Sequence, residues 1–214
     1  MKELLSIPLT RLFERITLLM ARTAKIERKT TETEITVDVN LGGTGKGEIS
    51  TTIPFFDHML RLLTRHGLFD LTVKGKGDTD VDYHHLVEDI GICLGEAVKE
   101  ALGSKEGTAR FGSAVVPMDE CLCSVDLDIS GRPYLVFNVN FGQKKIKAFD
   151  PDLLRDFYKS FSDHSGITLH INMVYGSNNH HMAEAVFKAF ARALRRAVSI
   201  DDRVKGVLST KGVL

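Results

Sequence analysis

The stretches HHLVEDIGICLGEAVKEAL (residues 84–102) and HHMAEAVFKAFARALRRAV (residues 180–198) decide the fold of this chain, because they are two versions of one helix. Each begins with a histidine pair, and a glutamate follows four residues after the first histidine. In both stretches apolar residues recur at spacings of three and four, which predicts an amphipathic helix. The two copies lie 96 residues apart, so the sequence predicts an internal duplication.

The duplication extends to the segments that precede the two helices. Each half is predicted to run strand, strand, helix, strand, helix. The first half has predicted strands 24–40, 47–53 and 68–75 and helices 55–66 and 84–102; the second has strands 113–130, 133–141 and 167–174 and helices 151–164 and 180–198. The predicted fold class is therefore α+β, a duplicated ββαβα unit whose four helices and two sheets form two halves related by a pseudo-two-fold axis.

The predicted domain organisation follows from this duplication. Residues 1–20 form an amphipathic N-terminal extension that precedes the first strand-like run. The first repeat spans 21–112 and the second spans 113–200. Residues 201–214 form a short basic C-terminal tail, which is assigned to substrate binding below.

Bulk composition excludes several classes of partner. Lys plus Arg and Asp plus Glu each number 28 in 214 residues, so the net charge is zero and favours neither nucleic acid nor an anionic membrane. No stretch approaches the roughly 20 apolar residues that a membrane span needs. The three cysteines are too few for a disulfide framework, which predicts reduced, buried thiols in a cytoplasmic protein.

The residues that begin the two long helices predict metal binding. His84, His85 and Glu88 fall within little more than one helical turn, and His180, His181 and Glu184 repeat that arrangement. Two imidazoles and a carboxylate suit a divalent transition metal. A plain polar helix start is the alternative, but it gives no reason for a histidine pair to occur twice. The order also differs from the HExxH of metalloproteases, and the donors leave Mn, Fe, Zn, Co and Ni open.

Each half offers one further candidate ligand on its shorter helix. His58 precedes the first histidine pair by 26 residues, and Asp156 precedes the second by 24. The paired positions favour metal binding over an ordinary polar role for both. His66 and His164, near the ends of the short helices, are predicted to have structural or supporting roles, while His170 is an alternative ligand if Asp156 does not bind metal.

Several scattered cations predict a local anion site. Lys188 lies one turn beyond Glu184, Arg132 lies in a Gly-Arg-Pro turn, Arg110 follows a Gly-Thr-Ala loop, and the tail contains Ser209-Thr-Lys211-Gly. Each alone is an ordinary surface charge. Together with a metal site they favour a phosphate-bearing substrate.

Nine motifs carry a resemblance to a known family: RKTTET (28–33), FDHML (56–60), GDTD (77–80), HHLVED (84–89), PMDE (117–120), SGRPY (130–134), TLH (168–170), HHMAEAVFKAFARAL (180–194) and STKG (209–212). From about residue 24 onward the chain resembles the imidazoleglycerol-phosphate dehydratases of histidine biosynthesis, in their monofunctional form. The resemblance implies a dimanganese lyase that dehydrates imidazole glycerol phosphate to imidazole acetol phosphate. It also implies trimers assembled into a 24-mer whose active sites are shared between subunits.

The resemblance also implies the roles of individual residues. The implied metal ligands are His58, His84, His85, Glu88, His180, His181 and Glu184. The implied contacts to substrate and phosphate are Glu32, His58, Arg110, Arg132, Lys188, Ser209 and Lys211. Glu32 is the first choice for the general acid and base, because Glu88 and Glu184 are occupied by metal.

This chain departs from the family pattern at two positions. Asp156 stands where the pattern has a histidine, and a carboxylate there would put one more negative charge on the second metal. Tyr83 stands where an aspartate commonly precedes the histidine pair. Two other functions remain open from the residues alone: a dimetal phosphoester hydrolase, and a structural oligomer whose metals only staple subunits together.

Overall fold

The computed structural model describes residues 22–214, so the predicted N-terminal extension 1–20 lies outside the described residues. The first half contains strands β1 (Thr23–Lys29), β2 (Thr33–Asn40), β3 (Ile49–Ser50) and β4 (Asp70–Gly77) and helices α1 (Pro54–Gly67) and α2 (His84–Leu102). The second half repeats this order with β5 (Phe111–Met118), β6 (Cys121–Asp128), β7 (Tyr134–Asn138), α3 (Leu153–Ser165), β8 (Thr168–Tyr175) and α4 (Asn179–Val198).

The two sheets have the same topology, which confirms the duplicated α+β fold. The first sheet has the strand order β1-β2-β4-β3 and the second has β5-β6-β8-β7. In both, the last pair (β3 with β4, β7 with β8) is parallel and the others are antiparallel. The helices cover one face of each sheet, so the apolar core lies between the two sheets.

Each half has one more strand than the sequence predicts. The predicted strand 24–40 is a hairpin of β1 and β2, and the predicted strand 113–130 is a hairpin of β5 and β6. The first turn is closed by the Thr30 hydroxyl, which accepts the backbone N–H groups of Glu32 and Thr33 at 3.1 and 2.9 Å. In the second turn Asp119 takes a left-handed conformation with φ +46°. Neither turn contains glycine or proline, so neither carries the usual sequence signal of a turn.

The helices of the two halves pack reciprocally. The short helix α1 packs against the long helix α4 of the other half, and the short helix α3 packs against the long helix α2. This reciprocal exchange is what the predicted pseudo-two-fold relation requires. Because each short helix crosses the beginning of a long helix from the other half, its side chains meet the histidine pair of that half.

The crossing of α2 and α3 depends on Gly91 and Gly95. A Cβ atom at Gly91 would lie 2.6 Å from the carbonyl oxygen of Phe157, and one at Gly95 would lie 2.7 Å from that of Phe161. The α4 position equivalent to Gly91 is Phe187, a fully buried aromatic residue. The two crossings therefore share their topology but differ in how closely the backbones approach.

We expect Gly91→Ala to destabilise the protein. Alanine favours a helix over glycine by about 1 kcal/mol. The new Cβ would however meet a backbone carbonyl at 2.6 Å, and overpacking of this kind costs about 1–3 kcal/mol. Denaturant unfolding should show a net loss, whereas Glu100→Ala on the exposed face of α2 should change stability little. A Gly91→Ala protein as stable as the parent would contradict the close crossing.

The three cysteines are free and buried. Burial raises the pKa of the Cys93 and Cys123 thiols to about 12, and it also raises the pKa of Cys121. Since the thiolate is the reactive form, we expect no reaction of the folded protein with a thiol reagent at pH 8. Three thiols should react after unfolding in denaturant, and fast labelling of the native protein would contradict this burial.

No helix in residues 22–214 is both long enough and apolar enough to cross a membrane.

Candidate metal centre

One cluster of candidate ligands is assembled from both halves, and we call His58, His180 and Glu184 the His58 centre. His58 lies on α1, while His180 and Glu184 lie in the first turns of α4. Glu184 Oε1 is 2.8 Å from His58 Nε2 and 3.1 Å from His180 Nε2, and the ligand atoms all lie within 4.8 Å of one another. Asn178 caps α4 by accepting the His180 N–H at 2.9 Å, which fixes where the helix begins and where its first side chains point.

Glu184 is ionised in this setting. Burial opposes its ionisation, but hydrogen bonds from Lys188, His58 and His180 outweigh burial and lower its pKa to about 2. Lys188 Nζ lies 2.5 Å from Glu184 Oε2 and 3.1 Å from Met118 Sδ. The structure thus places Lys188 directly beside the His58 centre, one turn along α4.

The equivalent residues of the duplication form a second cluster, the His84 centre, which consists of His84, Glu88 and Asp156. His84 and Glu88 lie at the start of α2, and Asp156 lies on α3. His84 Nε2 is 3.6 Å from Glu88 Oε2, and His84 Nδ1 is 3.6 Å from Asp156 Oδ2. The two carboxylates approach different nitrogens of one ring, so the donor atoms converge less closely than in the His58 centre.

The second histidine of each pair contacts a carboxylate that does not belong to either centre. His85 Nδ1 lies 3.0 Å from Asp78 Oδ2, and His181 Nδ1 lies 2.8 Å from Glu120 Oε2. The hydrogen bond to Asp78 raises the pKa of His85, and the one to Glu120 raises the pKa of His181. A carboxylate on one ring nitrogen orients a histidine so that its other nitrogen, here Nε2, can bind a metal.

The sequence predicts no role for Asp78 or Glu120, although they lie in the GDTD and PMDE motifs. The hydrogen bond to His181 lowers the pKa of Glu120 to about 2, and Glu120 also accepts the Asn178 N–H at 2.9 Å. The duplication could have identified Glu120, because Glu120 directly precedes β6 in the same way that Glu32 directly precedes β2. The two turns had to be recognised as turns before this equivalence could be used.

Glu32 lies at the turn between β1 and β2, next to His85. Its Oε2 atom is 3.9 Å from His85 Nδ1, and its side chain is half exposed. Glu32, Asp78 and His85 form a second group whose ligand atoms lie within 4.8 Å of one another. The predicted acid–base residue is therefore beside a predicted metal ligand and open to an incoming molecule.

Two of the predicted anion-binding residues, Arg110 and Arg132, meet at Asp128, at the end of β6. Arg110 donates to both carboxylate oxygens of Asp128, at 2.7 and 3.1 Å, and this pairing raises the pKa of Arg110. Arg132 Nη2 lies 3.9 Å from the same carboxylate, with 69% of its side chain exposed. Arg110 is held by its ion pair, while Arg132 is largely free to bind another anion.

The C-terminal tail is attached to the same place. Arg110 Nη1 donates to the Leu208 carbonyl at 2.7 Å, and the Lys211 N–H donates to Ser209 Oγ at 3.1 Å. Arg110, Arg132, Ser209 and Lys211 thus belong to one region, which we call the anion site.

The anion site and the His58 centre lie at opposite ends of α4. The Arg110 N–H donates to the Ala197 carbonyl near the end of α4 at 2.9 Å, whereas Glu184 lies near its beginning. At 1.5 Å per residue, the stretch from Glu184 to Ala197 is about 20 Å long. Within one chain, Lys188 therefore lies beside the ligands of the His58 centre, whereas the anion site lies at the far end of α4.

The other three histidines of the described residues lie outside both centres. His164 Nδ1 is 2.9 Å from the Ser160 carbonyl in its own helix. Burial lowers the pKa of His66 near the end of α1. His170 is exposed on β8 opposite Asp126, on the sheet face away from the helices, so it is not positioned to replace Asp156.

Comparisons with known proteins agree on one family. The family model described as imidazoleglycerol-phosphate dehydratase matches residues 51–194. The chain is 63% identical to the imidazoleglycerol-phosphate dehydratase of Syntrophus aciditrophicus over 197 residues, which cover 92% of this chain and all of that protein. It is 56% identical to that of Clostridium botulinum, covering 89% of this chain and 97% of the relative.

Solved structures give the same result. The crystal structure of the dehydratase from Staphylococcus aureus matches with a TM-score of 0.76 at 35% identity, over 84% of this chain and 99% of the other. The enzyme from Pyrococcus furiosus, in complex with (S)-C348, matches with a TM-score of 0.77 at 40% identity, over 88% of this chain and all of the other.

Proposed function

Because the chain belongs to the imidazoleglycerol-phosphate dehydratase family, it is a hydro-lyase of histidine biosynthesis, and we propose that it converts imidazole glycerol phosphate to imidazole acetol phosphate on two divalent metal ions per active site. The observation that carries the metal proposal is the convergence of His58, His180 and Glu184 from two halves of the chain. The family assignment leaves the hydrolase and the structural staple without support.

The donor sets fit two divalent cations. The His58 centre offers two imidazoles and a carboxylate, and the His84 centre offers one imidazole and two carboxylates. Imidazole and carboxylate donors without thiolate accept Mn²⁺, and manganese is the metal that we propose. His85 and His181 would each add an imidazole through Nε2, oriented by Asp78 and Glu120.

We further propose that the active site forms between subunits of a homo-oligomer in the cytoplasm. The anion site and the His58 centre of one chain lie at opposite ends of a stretch of α4 about 20 Å long, which is farther than one small phosphorylated imidazole can reach. A second copy that brings its anion site to the metal centres removes this gap. A 24-mer with shared sites, as the resemblance implies, satisfies the requirement.

The residues of the anion site would hold the phosphate. The Arg132 and Lys211 side chains supply positive charge, and Ser209 supplies a hydroxyl donor. Arg110 would act mainly by holding the tail and Asp128 in place, because its guanidinium already donates to both. A phosphate fixed at one end leaves the imidazole ring at the other end to approach the metal centres.

The elimination itself needs an acid–base group. Bound metal ions supply Lewis acidity that polarises the substrate ring and favours departure of the hydroxyl on the attached carbon. Glu32 would take the proton from the neighbouring hydroxyl-bearing carbon and pass it to the departing hydroxyl, which leaves as water. The resulting enol then tautomerises to the ketone. Glu32 suits this role because Glu88 and Glu184 lie within the metal centres.

The direct test is a dehydratase assay on imidazole glycerol phosphate, with and without added Mn²⁺, together with metal content per chain. We expect Mn²⁺-dependent formation of imidazole acetol phosphate. A phosphate ester without imidazole should not react. Absence of product from folded, metal-loaded protein would overturn the proposal.

We expect Arg132→Ala to raise KM for the substrate by roughly 10- to 100-fold, because a hydrogen bond to a charged group contributes about 1.5–3 kcal/mol. The change in kcat should be smaller, since the residue touches the phosphate rather than the reacting carbons. Lys25→Ala, on the exposed strand β1, is the matched removal of a surface cation and should leave KM unchanged. Equal KM values for both variants would remove Arg132 from the anion site.

A further inference from the structure

The duplication makes His58 and Asp156 equivalent residues, and they differ in chemistry. Each lies on the short helix of its half and approaches the first histidine or the glutamate of the long helix from the other half. The His58 centre therefore has two nitrogen donors and one oxygen donor. The His84 centre has one nitrogen donor and two oxygen donors.

The charges of the two centres differ as well. At the His58 centre, Lys188 lies 2.5 Å from Glu184, so one carboxylate is balanced by one ammonium group. The α2 position equivalent to Lys188 is Ile92, which carries no charge. Within residues 22–214, the ion-pair partner of both Glu88 and Asp156 is His84 alone. Before metal binds, the His84 centre is more negative by about two charges.

The glutamates of the two centres also differ in how much of the side chain is exposed to solvent. The Glu184 side chain is 11% exposed, whereas the Glu88 side chain is 44% exposed. Nitrogen-rich centres favour Zn²⁺, Co²⁺ and Ni²⁺ over Mn²⁺, while carboxylate-rich centres reduce that preference. The extra negative charge of the His84 centre adds attraction for any divalent cation without regard to its softness.

We propose that the two metal centres are unequal, with Asp156 as the specificity-determining residue that makes the His84 centre retain Mn²⁺ while the His58 centre exchanges it readily for Zn²⁺. This rests on the proposed function in requiring that both centres bind metal. An imidazole added to each centre by His85 or His181 leaves the difference between them unchanged. The protein thus accommodates a mixed pair of metals, one per centre.

The test is a competition on the intact Mn²⁺-loaded oligomer. Zn²⁺ is added stepwise, released Mn²⁺ is followed by its electron paramagnetic resonance signal, and bound metals are counted after desalting. We expect one Mn²⁺ per chain to leave first, and the second to need a Zn²⁺ concentration at least about tenfold higher.

Three variants assign the difference to Asp156. Asp156→His should bring the two release steps closer together, because both centres then have two nitrogen donors and one oxygen donor, and only the charge of Lys188 still distinguishes them. His58→Asp should move the first step to higher Zn²⁺ concentration. Asp163→His, the same substitution farther along α3, should keep two steps. If Asp156→His fails to assemble, His58→Asp tests the same difference from the other centre.

Each possible result of this competition supports or overturns a specific part of the proposal. Single-step release from the parent protein would overturn the inequality while leaving the dehydratase function intact. Two steps that persist unchanged in both Asp156→His and His58→Asp would overturn the role of Asp156. Folded protein that binds no Mn²⁺ would overturn both this inference and the metal proposal, whereas normal metal binding without dehydratase activity would fault the proposed function alone.

Discussion

Glu32→Gln is expected to lower kcat by roughly 10²- to 10⁴-fold, the usual contribution of a positioned acid–base group. Glutamine keeps the shape of the side chain but cannot accept the proton from the substrate carbon. The backbone N–H of Glu32 donates to Thr30 and does not involve the carboxylate, so the hairpin should persist. Metal content and KM should stay close to those of the parent, because the side chain is half exposed and belongs to neither metal centre.

Glu34→Gln is the matched control. Glu34 lies two residues further along β2, and its exposed carboxylate pairs with Lys29 at 3.0 Å. Steady-state kinetics and metal analysis of both variants separate acid–base chemistry from a general effect of lost charge. A Glu32→Gln enzyme with near-normal kcat would remove Glu32 from the reaction, and Glu88 or Glu184 would then have to move the proton.

His180→Ala is expected to remove most activity and about one metal ion per chain. His180 donates one of three converging ligand atoms, and its loss leaves the buried Glu184 with one imidazole fewer. Losing even a residue that only orients a ligand costs about 10- to 100-fold in metal affinity, so losing a ligand should cost more. Metal analysis of the desalted protein measures this loss directly.

His164→Ala controls for removal of a histidine. His164 lies at the far end of α3, where its ring contacts the Ser160 carbonyl. This variant should keep both metals and its activity. Excess Mn²⁺ should partly restore His180→Ala if the defect is one of affinity. Full metal content in desalted His180→Ala would show that His180 is not a ligand.

The long helices could be predicted because their apolar residues repeat over five turns, while the hairpins could not. Residues 27–34 of the segment 24–40 are all polar, so they give no apolar period from which the end of β1 could be located. Strand β3 is only two residues long and lies within the predicted strand 47–53, so that strand was predicted at the right place but too long. Apolar periodicity therefore does not locate turns that are closed by side-chain hydrogen bonds.

Some ligands of the metal centres could be predicted from the sequence, and others could not. His58 and Asp156 could be found because the duplication gives each a partner at a comparable distance from a histidine pair. The histidine pairs themselves were predicted as units, but the structure directs the two rings of each pair to different neighbours. Asp78 and Glu120 lie in connecting segments whose path depends on tertiary packing, so their meeting with the rings could not be read from spacing.

The exchange of short helices between halves has a consequence for the history of this chain. Neither half contains a complete centre, because each draws on α1 or α3 of one half and α4 or α2 of the other. An ancestor of half this length would have had to pair with its own copy, and symmetry would have made its two centres identical. Fusion into one chain released that constraint, since each ligand could then change alone. In this chain the difference between His58 and Asp156 is a change of this independent kind.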